Sequence, residues 1–447
     1  MIRQFIAANL GLRLFDFVGK SKVREYYKFY KDTLVWNQEQ INKYQLQRLR
    51  DLLRYSYENV PFYKKRLIEN NLTPDSIKSI GDFKKIPPLT REDLQKNVDD
   101  LLSKTINRNR LSRHSSSGTT GIPIIFYKDK NARSADIAAT YVLWNLAYYS
   151  IGNKRLHIWG NPESAQRWRT ISSKTKGLLL NHKNFPSYLI NLKENHSKLI
   201  NLINTYKPDY IEGYTSFIYL LAKFISDNKL DVHHPKRVLT TAESLYPYQK
   251  QIIENVLAPV IDYYGCGEIN GIAIQCVSRN YHILESRVLV EEEETTSSAK
   301  QIILTDLENL SMPLIRYKVG DLIDGLDKNE KCECGLKSAF FRNLQGRATE
   351  LVSLPNGQII SPVSIFGGTA FRKVANFIRH QTIWNGKYFI FIFEVTANFS
   401  DGDKNILESI IKDMLKNYNI TFKLKLTTDI AEPDNKFHYF KIDYDAA

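Results

Sequence analysis

Residues 115–123 read SSSGTTGIP, and this stretch decides how the rest of the chain is interpreted. Gly118 and Gly121 let the backbone approach a ligand closely and adopt conformations that side chains disfavour. The hydroxyl groups around them, with successive backbone N–H groups, suit a loop that holds phosphate. The stretch has no Gly-Lys-Ser/Thr ending, which excludes a Walker-type loop. A flexible Ser/Gly surface loop is the alternative that composition allows.

The overall composition is that of a globular protein. The chain has 447 residues, of which 43% are hydrophobic and 25% charged, so we expect two domains. No apolar run approaches the roughly 20 residues that span a bilayer. Charges interrupt the apolar N-terminus, which argues against a secretory signal. Four cysteines do not make a disulfide framework, and we expect a cytoplasmic protein.

The charge balance favours anionic partners. Sixty-two basic and 48 acidic residues give a net charge of +14, which suits nucleotides and coenzyme phosphates. The basic residues are spread out and form no RNA-binding signature or Cys/His finger, so nucleic acid is not expected. Residues 1–60 hold 11 Lys/Arg and 6 Asp/Glu. We expect an amphipathic helix that rests on another domain, with weak binding to the inner face of an anionic membrane as the alternative.

Hydrophobic periodicity predicts an α/β protein. Residues 38–58 and 131–151 have helical periods. Short buried strands alternate with helical segments, which favours a parallel sheet: RLHIWG (155–160), DYIEGY (209–214), KRVLTTAE (236–243) and VIDYYG (260–265). HILESRVLVEE and QIILTDL predict an antiparallel hairpin, with the glutamates at 291–294 forming a solvated, mutually repelling tip rather than a metal cage.

From about residue 346 the pattern predicts a second, α+β unit. LVSLPNGQIISP is typical of a hairpin, followed by a helix near 365–380, strands at 387–396, a helix at 403–417 and a final strand at 420–428. We therefore predict a large N-terminal domain with mixed and parallel sheets over 1–345, with a helical extension at 1–60. A small mobile lid domain follows at 346–447.

Five further motifs follow the glycine-rich loop in order: TTAESL (240–245), YYGCGEING (263–271), TDLENLSMPLIRYKVGDL (305–322), GRATEL (346–351) and DNKF (434–437). Together they resemble the adenylate-forming superfamily, in its branch of phenylacetate–CoA ligases and CapK-type capsule proteins. The resemblance extends from about residue 40 to about 440. It implies an AMP-binding ligase that joins a small carboxylic acid to AMP, using ATP and Mg²⁺, and releases pyrophosphate.

The same resemblance leaves the second step open. The acyl group would pass to coenzyme A, or alternatively to an amine in capsule or surface-polysaccharide biosynthesis. A different class is a catalytically weakened nucleotide-binding scaffold, because Ile122 and Gly267 replace residues that many relatives use near the phosphates. Thr349 and Asn435 also depart from the pattern. The identity of the acid and the oligomeric state stay open.

The resemblance also assigns residues to roles. Glu268 would hold Mg²⁺, and Asp321 would accept the ribose hydroxyls. Arg347 would help to fix the ribose and phosphate near the interdomain hinge, and Lys436 would reach the reacting carboxylate and α-phosphate as the lid closes. The other nucleotide-binding positions are Ser115, Ser116, Ser117, Gly118, Thr119, Thr120 and Gly121 for the phosphates, and Thr241, Ala242, Glu243, Tyr264 and Gly265 for the adenine. Cys266 is interpreted as a pocket-wall residue, because no general base for it is identifiable.

A second constellation predicts a structural zinc site. Cys276 and His282 follow YGCGEING, and Cys332 and Cys334 form KCECG, which gives three thiolates and an imidazole for tetrahedral Zn²⁺. The alternative is a chance grouping of buried cysteines. Five aromatic residues are candidate walls of the acid pocket, or else core residues: Trp144, Tyr148, Trp159, Tyr214 and Phe217.

Overall fold

The computed structural model describes residues 7–115, 124–159, 170–187, 193–243, 245, 247–294, 300–328, 330–345, 352–360, 371, 374, 376–430, 440–443, 445 and 446. Most of the glycine-rich loop (116–123), Arg347, Thr349, Asn435 and Lys436 therefore lie outside the described residues. Within the described part, no helix combines the length and apolar character that crossing a membrane requires.

Helices dominate the first hundred residues. The α-helices are α1 (Leu12–Gly19), α2 (Val23–Thr33), α3 (Gln38–Asn59), α4 (Pro61–Glu69), α5 (Ile80–Phe83), α6 (Arg91–Lys96), α7 (Lys130–Leu146), α8 (Ile171–Leu179), α9 (Lys193–Tyr206), α10 (Thr215–Asp227), α11 (Pro247–Val256) and α12 (Asp401–Leu415). Short helical turns cover Ala7–Gly11, Pro74–Ser76 and Arg108–Arg110. The helix predicted over 131–151 ends at Leu146, because Tyr148 has a φ of 62°.

Local capping explains where α3 begins and ends. The Asn37 side chain accepts from the Gln40 N–H, and the Gln40 side chain accepts from the Asn37 N–H, both at 2.9 Å. This reciprocal pair satisfies two donors at the helix start. Val60 is extended before Pro61, which stops α3 and begins α4.

The main sheet has eight strands in the order β13-β9-β8-β7-β6-β5-β3-β4. The strands are β3 (Arg155–Trp159), β4 (His182–Pro186), β5 (Tyr210–Tyr214), β6 (Arg237–Thr241), β7 (Val260–Tyr264), β8 (Ala273–Gln275), β9 (Tyr281–Ile283) and β13 (Phe340–Phe341). Strands β4, β3, β5, β6 and β7 run parallel, and β8, β9 and β13 extend the sheet in antiparallel fashion. The predicted α/β class with a parallel sheet is confirmed.

An antiparallel sheet follows in the chain, with β10 (Val288–Glu294), β11 (Lys300–Asp306), β12 (Tyr317–Ile323) and β14 (Leu344–Gln345). Strands β10 and β11 form the predicted hairpin, but the solvated, repelling tip is wrong. Glu291 is buried, and cations from β11 and from the start of β12 pair with all four glutamates, Lys300 serving both Glu292 and Glu294. Three of these ion pairs are Glu291–Arg316 (3.1 Å), Glu292–Lys300 (3.0 Å) and Glu293–Lys318 (2.6 Å).

The remaining strands form two smaller sheets and a hairpin near the glycine-rich loop. Strands β1 (Ser112–Ser115) and β2 (Ile125–Lys128) pair on either side of that loop. Strands β15 (Val352–Ser353) and β16 (Ile359–Ile360) form the second predicted hairpin. The last sheet, in the order β19-β18-β17-β20, contains β17 (Phe377–Trp384), β18 (Phe389–Val395), β19 (Phe422–Thr427) and β20 (Phe440–Ile442).

The C-terminal residues have an apolar core of their own. Leu407, Ile411 and Leu415 form one buried stripe of α12, which packs with buried residues of the last sheet and of β15. The helix predicted near 365–380 is wrong at its end, because residues 377–380 pair with β18 as a strand. Strand β19 is not the last strand either, since β20 pairs with β17 after it.

Candidate active site and metal centre

The carboxyl ends of β6 and β7 bring two predicted nucleotide-binding segments to one edge of the main sheet. Thr241 ends β6 and Tyr264 ends the parallel neighbour β7. Crevices outside such carboxyl edges are the usual ligand sites of open α/β sheets. Ala242 directly after β6 has a φ of 70°, a strained conformation for a residue with a side chain. The Glu243 carbonyl accepts a hydrogen bond from the Thr215 hydroxyl at 3.3 Å.

Strand β12 faces this edge with two side chains. The Tyr264 hydroxyl donates to Asp321 Oδ2 at 2.7 Å, and the Tyr317 hydroxyl donates to Glu268 Oε1 at 3.4 Å. A register irregularity of β12 opposite Gln301 and Ile303, where Gly320 has a φ of 93°, lies between Tyr317 and Asp321, and both side chains still contact residues at this edge. One strand thus contacts the predicted adenine-stacking residue and the predicted magnesium ligand.

The loop that carries Glu268 is held at several backbone positions. The Cys266 N–H donates to the Ile269 carbonyl at 2.9 Å, and the Asn270 N–H donates to Asp136 Oδ1 at 3.2 Å. Gly271 has a φ of 71°, and a Cβ there would lie 2.5 Å from the Ala139 Cβ of α7. Only glycine fits this close approach, so the loop is fixed against α7.

Cys266 lies close enough to both predicted carboxylates to be affected by their charges. Desolvation raises the pKa of its thiol well above the ordinary value, and the nearby Glu268 and Asp321 carboxylates raise it further. The thiol therefore stays protonated at neutral pH and is a poor nucleophile. This agrees with its interpretation as a pocket-wall residue.

A buried charge network behind the Glu268 loop was not predicted from the sequence. Arg287 is fully buried, pairs with Asp306, and contacts Asp136 at 2.9 Å. Asp136 also pairs with the buried Lys128 of β2. Because Asp136 accepts the Asn270 N–H as well, the network connects the Glu268 loop to the strand that follows the glycine-rich loop. Charged residues inside short apolar strands, as in IFYK and QIILTD, are the sequence signal that could have revealed it.

The main sheet contains a second buried polar cluster centred on Glu212. Glu212 on β5 accepts from the Tyr263 hydroxyl at 2.7 Å and pairs with His157 on β3. Burial alone would raise the pKa of Glu212, but His157 and Arg155 together lower it to about 2. His157 stacks on Trp159, which stacks on Tyr214 with ring centroids 4.0 Å apart.

The five aromatic residues predicted as candidate pocket walls differ in burial and in position. Trp144 and Phe217 are buried in separate apolar clusters, and Tyr148 is exposed. Trp159 and Tyr214 are half-buried and lie near the carboxyl edge of the sheet. The position of these two residues makes them the better candidates for a pocket wall.

The four predicted metal ligands form one compact cluster. Their ligand atoms all lie within 4.8 Å of one another, and three of the residues are buried. Cys276 and His282 flank the turn between β8 and β9, while Cys332 and Cys334 precede β13, whose Phe340 pairs with His282. Strand pairing therefore brings together two sequence motifs about 50 residues apart.

The distances in this cluster fit one tetrahedral cation. Two thiolates bound to the same zinc at about 2.3 Å are separated by roughly 3.8 Å. The sulfurs of Cys276 and Cys332 are 3.7 Å apart, and the Cys334 sulfur is 3.2 Å from His282 Nε2. All four cysteines of the chain are free thiols.

Outer contacts orient the same ligands. His282 Nδ1 lies 3.0 Å from the Ser338 hydroxyl, which leaves Nε2 directed at the cluster. Asn280 Nδ2 donates to the Cys332 sulfur at 3.2 Å. Such contacts to the outer side of metal ligands are typical of metal sites. Burial lowers the pKa of His282 to about 4, so its ring is neutral and available as a ligand.

Two curated proteins are similar to the chain over most of its length. Protein CapK of Staphylococcus aureus is 26% identical over 393 residues, which cover 86% of this chain and 83% of CapK. The phenylacetate–coenzyme A ligase of Thermus thermophilus is 26% identical over 343 residues, which cover 70% and 72% of the two chains. The chain is a homologue of CapK and the phenylacetate–coenzyme A ligases. The resemblance predicted from the ordered motifs is confirmed.

The fold is also found in solved structures. A 2-hydroxyisobutyryl-CoA ligase with 2-HIB-AMP and CoA, in its thioesterification state, matches with a TM-score of 0.61 and 18% identity over 91% of each chain. The same ligase in its postadenylation state matches with a TM-score of 0.60. At this identity the match establishes the fold that this chain shares with that ligase. No protein-family model matches the chain.

The predicted residues outside the described part keep their status as predictions. They are Ser116, Ser117, Gly118, Thr119, Thr120, Gly121, Arg347 and Lys436. Ser115 is described as the last residue of β1, and Gly265 directly follows β7. Sequence reasoning missed Tyr317, which contacts Glu268 although it stands in the same motif as Asp321.

Proposed function

We propose that the protein is an adenylate-forming ligase. A carboxylic acid attacks the α-phosphorus of ATP to give acyl-AMP and pyrophosphate, and coenzyme A then displaces AMP to give a thioester. The observation that carries this proposal is the convergence of Tyr264, Asp321 and Glu268 at the carboxyl edge of the sheet. Similarity to the phenylacetate–coenzyme A ligases supports it.

Each of these side chains suits a part of ATP. A carboxylate accepts two hydrogen bonds at once, so Asp321 would bind both ribose hydroxyls while the Tyr264 hydroxyl fixes its orientation. The Tyr264 ring would stack on the adenine. Glu268 is buried and offers hard oxygen ligands, which fit Mg²⁺, and the ion would neutralise phosphate charge. Ser115 and the following loop would hold the leaving pyrophosphate.

Acid-dependent exchange of pyrophosphate into ATP tests the first half-reaction. We would assay aryl, aliphatic, amino and uronic acids with the wild type, Asp321→Asn and the control Asp51→Asn. Asp51 is an exposed residue of α3, outside the site. We expect exchange with at least one acid class, loss in Asp321→Asn and no change in Asp51→Asn. Exchange with no acid would favour the scaffold alternative, and full exchange in Asp321→Asn would refute the site.

An amine acceptor is the second candidate, and the similarity to CapK over 86% of the chain favours it. In that reaction an amine on a sugar or amino acid displaces AMP and forms an amide, in surface-polysaccharide assembly. Once exchange has identified the acid, coenzyme A and amines are supplied separately and the products are analysed by mass spectrometry. A thioester supports the first candidate, whereas an amide without a thioester supports the second.

We propose that the Cys276, His282, Cys332 and Cys334 cluster holds a structural Zn²⁺. The ion would join the β8–β9 turn to the segment before β13, close to the end of the large domain. Metal analysis should find one zinc per chain and its loss in Cys334→Ser, with Cys266→Ser as the matched cysteine control. Stoichiometric zinc in Cys334→Ser would refute the assignment.

We further propose that residues 1–345 and 346–447 are separate domains and that the second closes over the first during the reaction. The separate apolar core of residues 352–442 supports this division. Lys436 would then reach the reacting carboxylate and α-phosphate on closure, and Arg347 would help to fix the ribose and phosphate near the hinge. Lys436→Ala should abolish exchange while leaving ATP binding within about twofold. A cytoplasmic location, where thiols stay reduced, fits the four free cysteines.

A further inference from the structure

Helix α1 has two apolar faces. One packs against the rest of the protein, and the other has no role in the proposed ligase reaction. Leu12 is buried, and Phe15 packs beside it against an apolar cluster that includes Trp144 of α7. Phe17 and Val18 point away from that cluster and are 83% and 63% exposed.

The exposed residues form one continuous stripe. Leu14, Phe17 and Val18 are spaced at i, i+3 and i+4, so they share a side of the helix. Leu10, one turn earlier in the preceding helical turn, is exposed as well. We call Leu10, Leu14, Phe17 and Val18 the N-terminal apolar stripe. The other large apolar side chains that are exposed in the described ranges occur singly along the chain. A contiguous exposed apolar patch usually marks a binding surface.

The stripe lies in basic surroundings. Residues 7–33 contain six Lys/Arg and three Asp/Glu. Arg13 on α1 and Lys20 directly after it are exposed, as are Arg24, Lys28 and Lys31 on the neighbouring α2. Asp16 is directed towards the α1–α2 connection, where it accepts from the Ser21 hydroxyl and from the Val23 and Arg24 N–H groups at 2.6–2.9 Å.

We propose that the N-terminal apolar stripe docks the protein on an anionic phospholipid membrane, with α1 lying in the plane of the interface. Apolar insertion and attraction of basic residues to anionic headgroups are each weak alone, and together they give stable binding. The charge around the stripe favours a lipid surface over a second copy of the chain, which would bring a like charge to the same place. The reaction would then take place beside the membrane.

Vesicle co-sedimentation with the full chain tests this proposal independently of any ligase activity. The vesicles contain phosphatidylcholine alone, or phosphatidylcholine with about 30% phosphatidylglycerol. We compare the wild type with the double variant Phe17→Ser/Val18→Ser, the charge variant Arg13→Gln/Lys20→Gln and the control Ile68→Ser. Ile68 is an exposed apolar residue near the end of α4, outside the stripe. Unchanged melting temperatures exclude misfolding as the cause of lost binding.

We expect binding to the anionic vesicles that weakens as salt is raised. Loss of the two stripe residues should reduce the partition coefficient by about tenfold or more, because a buried phenylalanine contributes most of the apolar transfer. The charge variant should lose about fivefold per basic residue, and Ile68→Ser should bind like the wild type. No binding to anionic vesicles would overturn the proposal, and so would equal binding by the Phe17→Ser/Val18→Ser variant. A dimer in size-exclusion chromatography that the same variant dissolves would assign the stripe to self-association instead.

Discussion

The hydrogen bond between Tyr264 and Asp321 gives the sharpest test of the proposed nucleotide site. Tyr264→Phe keeps the ring that would stack on adenine and removes only the hydroxyl that donates to Asp321 at 2.7 Å. A hydrogen bond to a charged group contributes about 1.5–3 kcal/mol. Asp321 is only half-buried, so water replaces part of the lost interaction and the lower value applies. We expect the dissociation constant of ATP to rise about tenfold, which corresponds to about 1.4 kcal/mol.

A double-mutant cycle separates orientation of Asp321 from a general loss of structure. Asp321→Asn removes the charge that would accept both ribose hydroxyls and should weaken ATP binding by about 2–4 kcal/mol. In that background Tyr264→Phe should have little further effect, which gives a coupling energy of about 1 kcal/mol. ATP affinity is measured by calorimetry on the four proteins, and thermal melting confirms that each is folded. Additive effects within about 0.3 kcal/mol would refute the orienting role of the hydroxyl.

Three further predictions concern stability. Because the pKa of Glu212 is lowered to about 2, its ionised form stabilises the fold above pH ~5. Up to about 3 kcal/mol of the free energy of unfolding is lost as the pH falls towards 2, so the midpoints of urea unfolding should fall on acidification. An equally steep fall in Glu212→Gln would contradict this. Gly271→Ala should destabilise the protein by about 2 kcal/mol or more and impair pyrophosphate exchange. The control Gly357→Ala has a similar φ but no atom within 4 Å of the added Cβ, so it should show only the backbone strain. Equal losses of stability in the two variants would exclude the clash with α7. Arg287→Met should cost about 3–5 kcal/mol, because Asp306 stays buried without its paired cation and Asp136 keeps only Lys128, and the melting temperature of the exposed Arg342→Met serves as the control; a stable Arg287→Met protein would show that water replaces the guanidinium.

Much of the fold could be predicted from local sequence patterns. The buried strands RLHIW, YIEGY, RVLTT and VIDYY are successive parallel neighbours in the sheet. Short buried strands that alternate with helices are typical of a parallel sheet covered by helices, so this part was predictable. The helix over 403–417 and the strand over 387–396 were placed to within two residues. The helix near 365–380 was misjudged at its end, because the pairing of Phe377–Trp384 with β18 and β20 depends on residues distant in sequence.

The glutamates at 291–294 show why charge patterns are hard to interpret without neighbours. In sequence they are four adjacent like charges, which predicts repulsion. In the sheet, β11 and β12 bring Lys300, Lys318 and Arg316 beside them, so Glu291 is buried as an ion pair. The environment of these glutamates depends on strand register, which a short stretch of sequence does not reveal.

The sequence by itself determined which chemical groups the protein has: a glycine-rich loop, a tyrosine and two carboxylates in ordered motifs, and three cysteines with a histidine. Those identities depend on residue type and spacing, which are local. Only the tertiary structure decided that β12 brings Tyr317 and Asp321 to the Glu268 loop and that β9 and β13 close the Cys/His cluster. It also decided that Lys128, Asp136 and Arg287 form one buried network behind the loop. These contacts join segments tens to more than a hundred residues apart, and their geometry comes from sheet pairing and helix packing.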